Sequence, residues 1–333
     1  MHNQELIGPW VRRFLLEHLV GERNLSVNTQ HSYRDTLAIL LPLVAARIHK
    51  PLDTLQVLDI SADDVRTFLR YIEQKRGAST STRNQRLAAV HALARFIAGY
   101  SPQHIAWSGE IRAIPFKKAA RPLVGYLEKP EVEAILAAPQ RSTQQGRRDY
   151  AVLLFLYNSG VRASELAALT IADLTPSTGS TAASVRIHGK GGKMRQCPIW
   201  PRTSSELVSL IDGRGSTEHV FLNRRNEPIT RYGIHALVER NVVRAAKHLP
   251  TLSSKRISPH TFRHTTATHL LRSGVDINTI RSWLGHVSLD TTQIYAEVDL
   301  EMKAKALAKC DTLPRASNKK WLDKGLMAFL RSL

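Results

Sequence analysis

Apolar side chains recur at helical spacing through the first hundred residues. In four stretches they lie three or four positions apart, which places them on one face of an α-helix. Ser61 followed by Asp64 matches a capping box at the start of the third stretch, and Gly77 follows its end, as glycine does after a helix. We predict a compact helical bundle. Its helices are expected at residues 7–19, 27–44, 62–76 and 80–97.

The fourth predicted helix has an apolar side and a basic side. Leu87 and Val90 belong to the inward stripe, whereas Arg83, Arg86 and Arg95 are predicted on the outer side.

Residues 101–125 interrupt the helical pattern. Three prolines break the segment, and Lys117, Lys118 and Arg121 make it basic. A proline-spaced stretch between periodic segments is typical of an extended linker. A solvated connector would suffice, but in a strongly basic chain we favour contact between this linker and a phosphate backbone.

From residue 126 the pattern is helical again, with one β-rich interruption. Two alternating runs, 183–188 and 194–199, flank the glycine-rich segment Gly189–Lys193, which predicts a β-hairpin, and residues 219–222 predict a third short strand. The other segments have helical spacing. Helices are expected at residues 131–138, 147–158, 163–169, 231–248, 259–271, 277–284, 291–298 and 301–309.

The last segment carries an apolar stripe from Leu322 to Leu333. Such a helix can bury its stripe on its own domain or on a neighbouring subunit, and the sequence leaves both open. Together the patterns predict a mainly α fold (α+β), in which a helical N-terminal domain precedes a mostly helical domain with a small antiparallel sheet. The expected divisions are residues 1–110, a basic linker at 111–125, a second domain at 126–311 and a tail helix at 312–333.

Charge narrows the class of partner. The 333 residues hold 47 Lys and Arg against 28 Asp and Glu, a formal net charge of +19. Such an excess points to a polyanionic partner, whereas only 6% aromatic residues disfavour a surface built mainly for base stacking. Two cysteines exclude a disulfide framework, and no run of about 18 apolar residues suggests a membrane span. We expect a soluble intracellular protein.

Several familiar chemistries are disfavoured. A phosphate loop of the nucleotide-hydrolysing type is missing, and Gly189–Lys193 precedes a strand pattern rather than a helix. His260 and His264 have the spacing of a helical zinc pair, but position 261 is Thr rather than the Glu that metalloprotease chemistry requires. We therefore predict neither a metal nor another cofactor.

The remaining polar residues suit an anion. Ser258 and Pro259 can begin a helix that holds His260 and Arg263 on one face near its positive end. Motifs elsewhere in the chain add residues that suit the same purpose. They are Arg162 after the Gly160 turn with Glu165 one turn on, His286 after the Gly285 helix end, a hairpin lysine, and Tyr295 in a following helix. Two arginines, two histidines, a lysine and a tyrosine fit phosphoryl transfer without a metal.

Five ordered motifs in this half resemble those of the tyrosine recombinases of the phage integrase family, near the dimer-resolving and transposon-borne branch. The motifs are Gly160–Leu166, Gly189–Lys193, His260–His264, Trp283–His286 and Thr292–Tyr295. The resemblance covers residues 126–310, and the N-terminal helices match the family's SAM-like core-binding domain more loosely. It implies site-specific DNA recombination through a 3′-phosphotyrosyl intermediate and a Holliday junction.

The resemblance also implies roles. Tyr295 is similar to the family's nucleophile, Arg162 and Arg263 to its phosphate clamp, and Lys190 to its general acid, with Lys193 as the alternative. His260 and His286 would donate hydrogen bonds to the same phosphate. Glu165 would orient Arg162.

The partner implied is double-stranded DNA. Binding is expected to involve Arg83, Arg86, Lys117, Lys118, Arg121 and Lys193. Because one tyrosine cuts one strand, exchange of two duplexes implies a homotetramer on DNA, with sibling recombinases also open. The implied location is the cytoplasm, at the nucleoid. Two alternatives stay open: a non-catalytic DNA-binding protein on the same scaffold, and a topoisomerase IB-like relaxer.

Overall fold

The computed structural model describes residues 5–118, 125–177, 182–189 and 192–285. The chain divides into two compact units, Met1–Pro122 and Leu123–Leu333. Within the described ranges, no helix combines the length and the apolar character that crossing a membrane demands. The helices predicted beyond residue 286 and the apolar stripe of the tail lie outside the described residues.

The first unit is helical. Its α-helices are α1 (Ile7–Arg13), α2 (Val27–Arg47), α3 (Ala62–Gln74), α4 (Thr80–Tyr100) and α5 (Ile105–Arg112). A π-helical segment, Phe14–Glu22, continues α1 directly, so the first helical region extends beyond its predicted end at residue 19.

The predicted capping box at the start of α3 is confirmed. The Asp64 backbone N–H donates to Ser61 Oγ at 3.2 Å, and the Ser61 backbone N–H donates to Asp64 Oδ2 at 2.9 Å. These reciprocal bonds satisfy two donors that a helix start leaves unpaired. Gly77 lies just beyond the helix in the left-handed conformation, with φ +62°.

The expectation of an extended linker from residue 101 is wrong over its first part. A 3₁₀ turn, Pro102–His104, leads into α5. Trp107 on α5 donates its indole N–H to the Ile60 carbonyl at 2.7 Å, and Ile111 is fully buried. Proline is tolerated in the first turn of a helix, so here Pro102 marks a helical start rather than an extended chain.

The second unit is mostly helical with one small sheet. Its elements are α6 (Lys129–Ala137), α7 (Gln144–Ser159), α8 (Ala163–Ala167), β1 (Leu174–Thr175), β2 (Ser184–His188), β3 (Met194–Pro198), α9 (Pro201–Ile211), α10 (Arg231–Ala246), α11 (Pro259–Arg272) and α12 (Ile277–Leu284). Of these, β1 and α9 have no counterpart among the predicted elements. The predicted fold class is confirmed.

The three strands form an antiparallel sheet in the order β1-β2-β3. Val185 pairs with Cys197 in the predicted hairpin. The strand predicted at residues 219–222 is wrong. His219 makes a single bridge to Thr170, and Leu222 makes one to Pro228, so the segment changes partner before a ladder can form.

The core of the second unit surrounds α7. All residues from Ala151 to Leu156 are buried, so this central part of the helix is apolar on every side. Phe221 and Phe262 pack in the same cluster. Because α7 is fixed on all sides, the chain that leaves its C-terminal end has a rigid starting point.

Candidate anion-binding site

The site begins where α7 ends. Gly160 caps the helix with φ +60°, a left-handed conformation that favours glycine. A Cβ at this position would lie 2.5 Å from Leu284 Cδ2, so the close approach of α12 also requires glycine. Two residues further on, Arg162 is the N-cap residue of α8.

Glu165 fixes Arg162 as predicted. Arg162 Nη1 donates to Glu165 Oε1 at 2.7 Å, and the Arg162 backbone N–H donates to Oε2 at 3.0 Å. The Arg162 side chain remains 38% exposed, whereas that of Glu165 is 4% exposed. The guanidinium is thus anchored at its inner side and still reaches solvent.

A second arginine, which the sequence reasoning missed, shares the same carboxylate. Arg195 Nη2 donates to Glu165 Oε2 at 2.7 Å, and Arg195 Nε donates to the Trp283 carbonyl at 2.9 Å. A signal was present in the alternation of β3. Arg195 lies two residues before the buried Cys197 and therefore on the same, inward face of the strand. An arginine on an inward face needs a carboxylate partner.

The two cations determine the protonation state of Glu165. Burial alone would raise the pKa of this carboxyl, but hydrogen bonds from Arg195 and from the Arg162 backbone, together with the charge of Arg195, lower it below its ordinary value of 4.5. Glu165 is therefore an anion at neutral pH.

Arg263 joins two helix ends. Its side chain is only 1% exposed, with Nη1 donating to the Gly160 carbonyl at 2.7 Å and Nη2 to the Leu284 carbonyl at 2.6 Å. A carbonyl oxygen has no net charge, so these acceptors orient the guanidinium without neutralising it. The contact with Gly160 also places Arg263 beside the turn that carries Arg162.

His260 lies in the first turn of α11 and is exposed. The surrounding protein lowers the pKa of His260 below its ordinary 6.5, and the positive charges of Arg263 and Arg162 lower it further. The neutral form of the imidazole is therefore favoured at pH 7. Its ring centroid is 4.3 Å from that of His264, which is buried and packs edge-on.

The structure thus brings Arg162, His260 and Arg263 together, with Glu165 and Arg195 behind them. This group contains three guanidinium groups and one carboxylate, so its formal charge is positive and suited to an anion. Across the described parts of the chain, no three His, Cys, Asp or Glu side chains are grouped so that they could hold a metal ion.

Three predicted catalytic residues, Lys190, His286 and Tyr295, lie outside the described residues, as does Arg121. Lys193 is described: it is exposed, and its carbonyl accepts the Gly189 N–H at 2.7 Å, which closes the base of the hairpin turn.

In the first unit, the predicted basic face of α4 needs correction. Arg83 is buried rather than outward, because its Nη1 donates to the Pro115 carbonyl at 3.0 Å. Arg86 is half-buried and donates to the Ser32 carbonyl at 3.0 Å. Both arginines thus bond backbone carbonyls of other segments within the first unit.

Of the predicted linker lysines, Lys117 is exposed but bonded to the Glu73 carboxylate at 2.7 Å, whereas Lys118 is exposed at the end of the described segment. Lys118 is thus the more accessible of the two cations.

Comparison with known proteins shows the family of this chain. The profile of the phage integrase family matches residues 125–302, and that of the phage integrase N-terminal SAM-like domain matches residues 12–98. The chain therefore belongs to the phage integrase family. Within that family it is a tyrosine recombinase, which confirms the resemblance drawn from the motifs.

Among similar proteins is y4rC of Sinorhizobium fredii (strain NBRC 101917 / NGR234), which carries the name integrase/recombinase. The two sequences are 39% identical over 329 residues, and the match covers 98% of each chain. The tyrosine recombinase XerC of Pelobacter propionicus is 33% identical over 299 residues, 87% of this chain and 91% of XerC.

Solved structures share the fold. The XerH site-specific recombinase bound to its difH substrate superposes with a TM-score of 0.62 at 22% identity, over 86% of this chain and 81% of XerH. The Tn1549 transposon integrase in complex with a circular intermediate DNA gives a TM-score of 0.67 at 16% identity. The match covers 92% of this chain and 99% of the integrase chain.

Proposed function

We propose that this chain cuts and rejoins double-stranded DNA at specific sites through a covalent 3′-phosphotyrosyl intermediate at Tyr295, without metal or ATP. The observation that carries the proposal is the convergence of Arg162, His260 and Arg263 on one positively charged site in a chain of the phage integrase family.

The phosphate is bound by the two arginines. Arg162 reaches solvent with its Nη1 bonded to Glu165, and the guanidinium of Arg263 is oriented by two carbonyls. Both would contact the non-bridging oxygens, on which negative charge grows during attack. Removal of one such pre-aimed donor costs about 3 kcal/mol in activation free energy. His260 adds a neutral hydrogen-bond donor. A bound phosphodiester would raise the pKa of this imidazole, which brings it closer to proton transfer at neutral pH.

The reacting groups come from the motifs. With its proton passed to the imidazole of His260 or His286, the Tyr295 phenol oxygen would attack phosphorus while the bond between phosphorus and the 5′-oxygen breaks. A proton from Lys190, or from Lys193 as the alternative, would neutralise the departing 5′-oxygen. His286 would donate to the same phosphate. Rejoining is the reverse attack by a 5′-hydroxyl, and the phosphotyrosyl bond conserves the energy for it, so no ATP is needed.

Contact with the DNA backbone would come from exposed cations, among them Lys118 and Lys193. Solved relatives of this fold include complexes with DNA, which supports a DNA partner. Because one site cuts one strand, strand exchange requires four chains, and the stripe within residues 312–333 is our candidate for the contact between subunits. We place this activity at the nucleoid.

The test is covalent capture. The protein is incubated with EDTA and nicked duplexes that tile the DNA on both sides of its gene, and adducts that survive SDS are scored. We expect an adduct with the wild type and none with Tyr295→Phe, which keeps the ring but lacks the nucleophile. Binding without any adduct would support the non-catalytic alternative. Adducts accompanied by relaxation of supercoiled DNA but by no recombinant product would support the relaxer.

A further inference from the structure

Arg195 has no role in the proposal above, yet it bonds both Glu165 and the Trp283 carbonyl behind the site. We propose that Arg195 is a positioning residue, which holds the Arg162 guanidinium in place for its phosphate by fixing Glu165. This inference rests on the proposed function and extends it to a residue outside the expected catalytic set.

The contacts define a relay. Arg195 donates to both carboxylate oxygens of Glu165, at 2.7 and 3.3 Å, and Glu165 Oε1 in turn accepts Nη1 of Arg162 at 2.7 Å. The Arg195 side chain is 11% exposed, and its Nε, Nη1 and Nη2 are all engaged by Glu165 and the Trp283 carbonyl, so its donors are already committed within the protein. Because both arginines share the carboxylate, any rotation of Glu165 would move Arg162.

Arg195 also ties three elements at one point. It belongs to β3, it bonds to Glu165 on α8, and its Nε donates to the Trp283 carbonyl in the last turn of α12. A lysine could keep the charge, but it lacks the planar fork that serves both acceptors at once.

Two glycines border this junction, and Gly285 lies close enough to Arg195 that a side chain there would crowd it. A Cβ on Gly189 would lie 3.5 Å from Arg195 Nη1, and one on Gly285 would lie 3.1 Å from the same atom. These glycines directly precede Lys190 and His286 in the sequence. The junction therefore contacts the two glycines that come directly before predicted catalytic residues in the sequence.

The experiment compares Arg195→Gln with Arg214→Gln. Arg214 is a matched control, because it also bonds a glutamate, Glu218, and backbone carbonyls, including that of Val220, but it lies in a loop outside the site. Single-turnover cleavage of the nicked duplexes is measured beside DNA affinity and melting temperature.

We expect Arg195→Gln to slow cleavage on the order of 10- to 100-fold, since a small displacement of a phosphate-binding group has a large effect on rate. DNA affinity should change less than about twofold, because Arg195 makes no phosphate contact, and Arg195→Lys should recover part of the rate. Arg214→Gln should cleave at the wild-type rate even if it melts at a lower temperature.

A pH profile separates positioning from general weakening. Glu165 faces two cations, Arg162 from the start of α8 and Arg195 from β3, and loss of one of them raises its pKa. The acid side of the rate profile should therefore move to higher pH in Arg195→Gln and stay in place in Arg214→Gln. Equal rate losses in the two variants, or an unmoved acid side, would overturn the inference while the wild-type adduct leaves the proposed function standing. A wild type that forms no adduct would overturn the proposed function and this role with it.

Discussion

Replacement of Glu165 by glutamine removes the negative charge that Arg162 and Arg195 share. Removal of one partner of a buried ion pair costs about 3–5 kcal/mol, because a charge is left without compensation. Arg195 is 11% exposed and carries that cost, whereas Arg162 is 38% exposed and partly compensated by water. We therefore expect the lower end, about 3 kcal/mol of unfolding free energy at pH 7.

The pH dependence of this loss has a definite sign. The pKa of Glu165 in the folded protein is below its ordinary 4.5, so its carboxylate contributes stability that is complete above the pKa of the unfolded chain. That contribution disappears as the pH falls through the folded pKa. The difference between wild type and Glu165→Gln should therefore be constant near neutrality and shrink below pH 4.5.

Cys197 supplies a probe for the second unit. It is 0% exposed on β3, and burial raises the pKa of its thiol to about 12, so reagents label it only when the unit opens. In a Cys310→Ser background, a loss of about 3 kcal/mol should accelerate labelling at pH 7 by roughly 100- to 200-fold. Calorimetry at pH 7 and at lower pH then measures how the stability difference between wild type and Glu165→Gln shrinks as the pH falls.

Glu218→Gln is the matched control, because Glu218 also pairs with an arginine but is 49% exposed. In this variant, the labelling rate of Cys197 should rise less than about threefold, because an exposed ion pair contributes little to stability. Equal acceleration in Glu218→Gln and Glu165→Gln, or a gap that persists at low pH, would refute the shared-carboxylate reasoning.

Three further outcomes follow from the geometry. Gly160→Ala should lower stability by about 1–3 kcal/mol, since it forces a side chain into a left-handed conformation with φ +60°; a urea midpoint equal to wild type would contradict this. Arg162→Gln should raise the pKa of His260 by removing a nearby charge, which NMR titration of labelled histidines can follow. Arg83→Gln should destabilise the first unit with no change in the salt dependence of DNA binding, whereas Lys118→Gln should reduce the slope of log affinity against log salt by about one, as gel shifts across a salt series would measure.

Features that depend on residues close together in the sequence were predicted correctly. The capping box of Ser61 and Asp64 and the pairing of Arg162 with Glu165 both follow from a three-residue separation along one turn of chain. The hairpin of β2 and β3 follows from alternation around a glycine-rich turn. Each depends on contacts within a few residues, which a sequence displays directly.

What the sequence did not display are contacts between distant segments. Arg195 pairs with Glu165 across 30 residues, and Arg83 bonds a carbonyl 32 residues away. Arg83 lies on the polar side of its helix by spacing, but it is buried because the chain beyond α5 returns over it. Helix α5 was not predicted, because the prolines of this segment were interpreted as marks of an extended linker. Proline also occurs in the first turn of a helix, as Pro102 does here.

The most direct measurement of the central claim is the identity of the residue that carries the DNA. Nuclease and trypsin digestion of the adduct should leave a nucleotide on the peptide of residues 282–303, in which Tyr295 is the one tyrosine. We predict a mass shift on Tyr295 through a 3′-phosphate, with a free 5′-hydroxyl on the released strand. A nucleotide on another side chain, or a linkage through a 5′-phosphate, would contradict the assignment of this chain's chemistry.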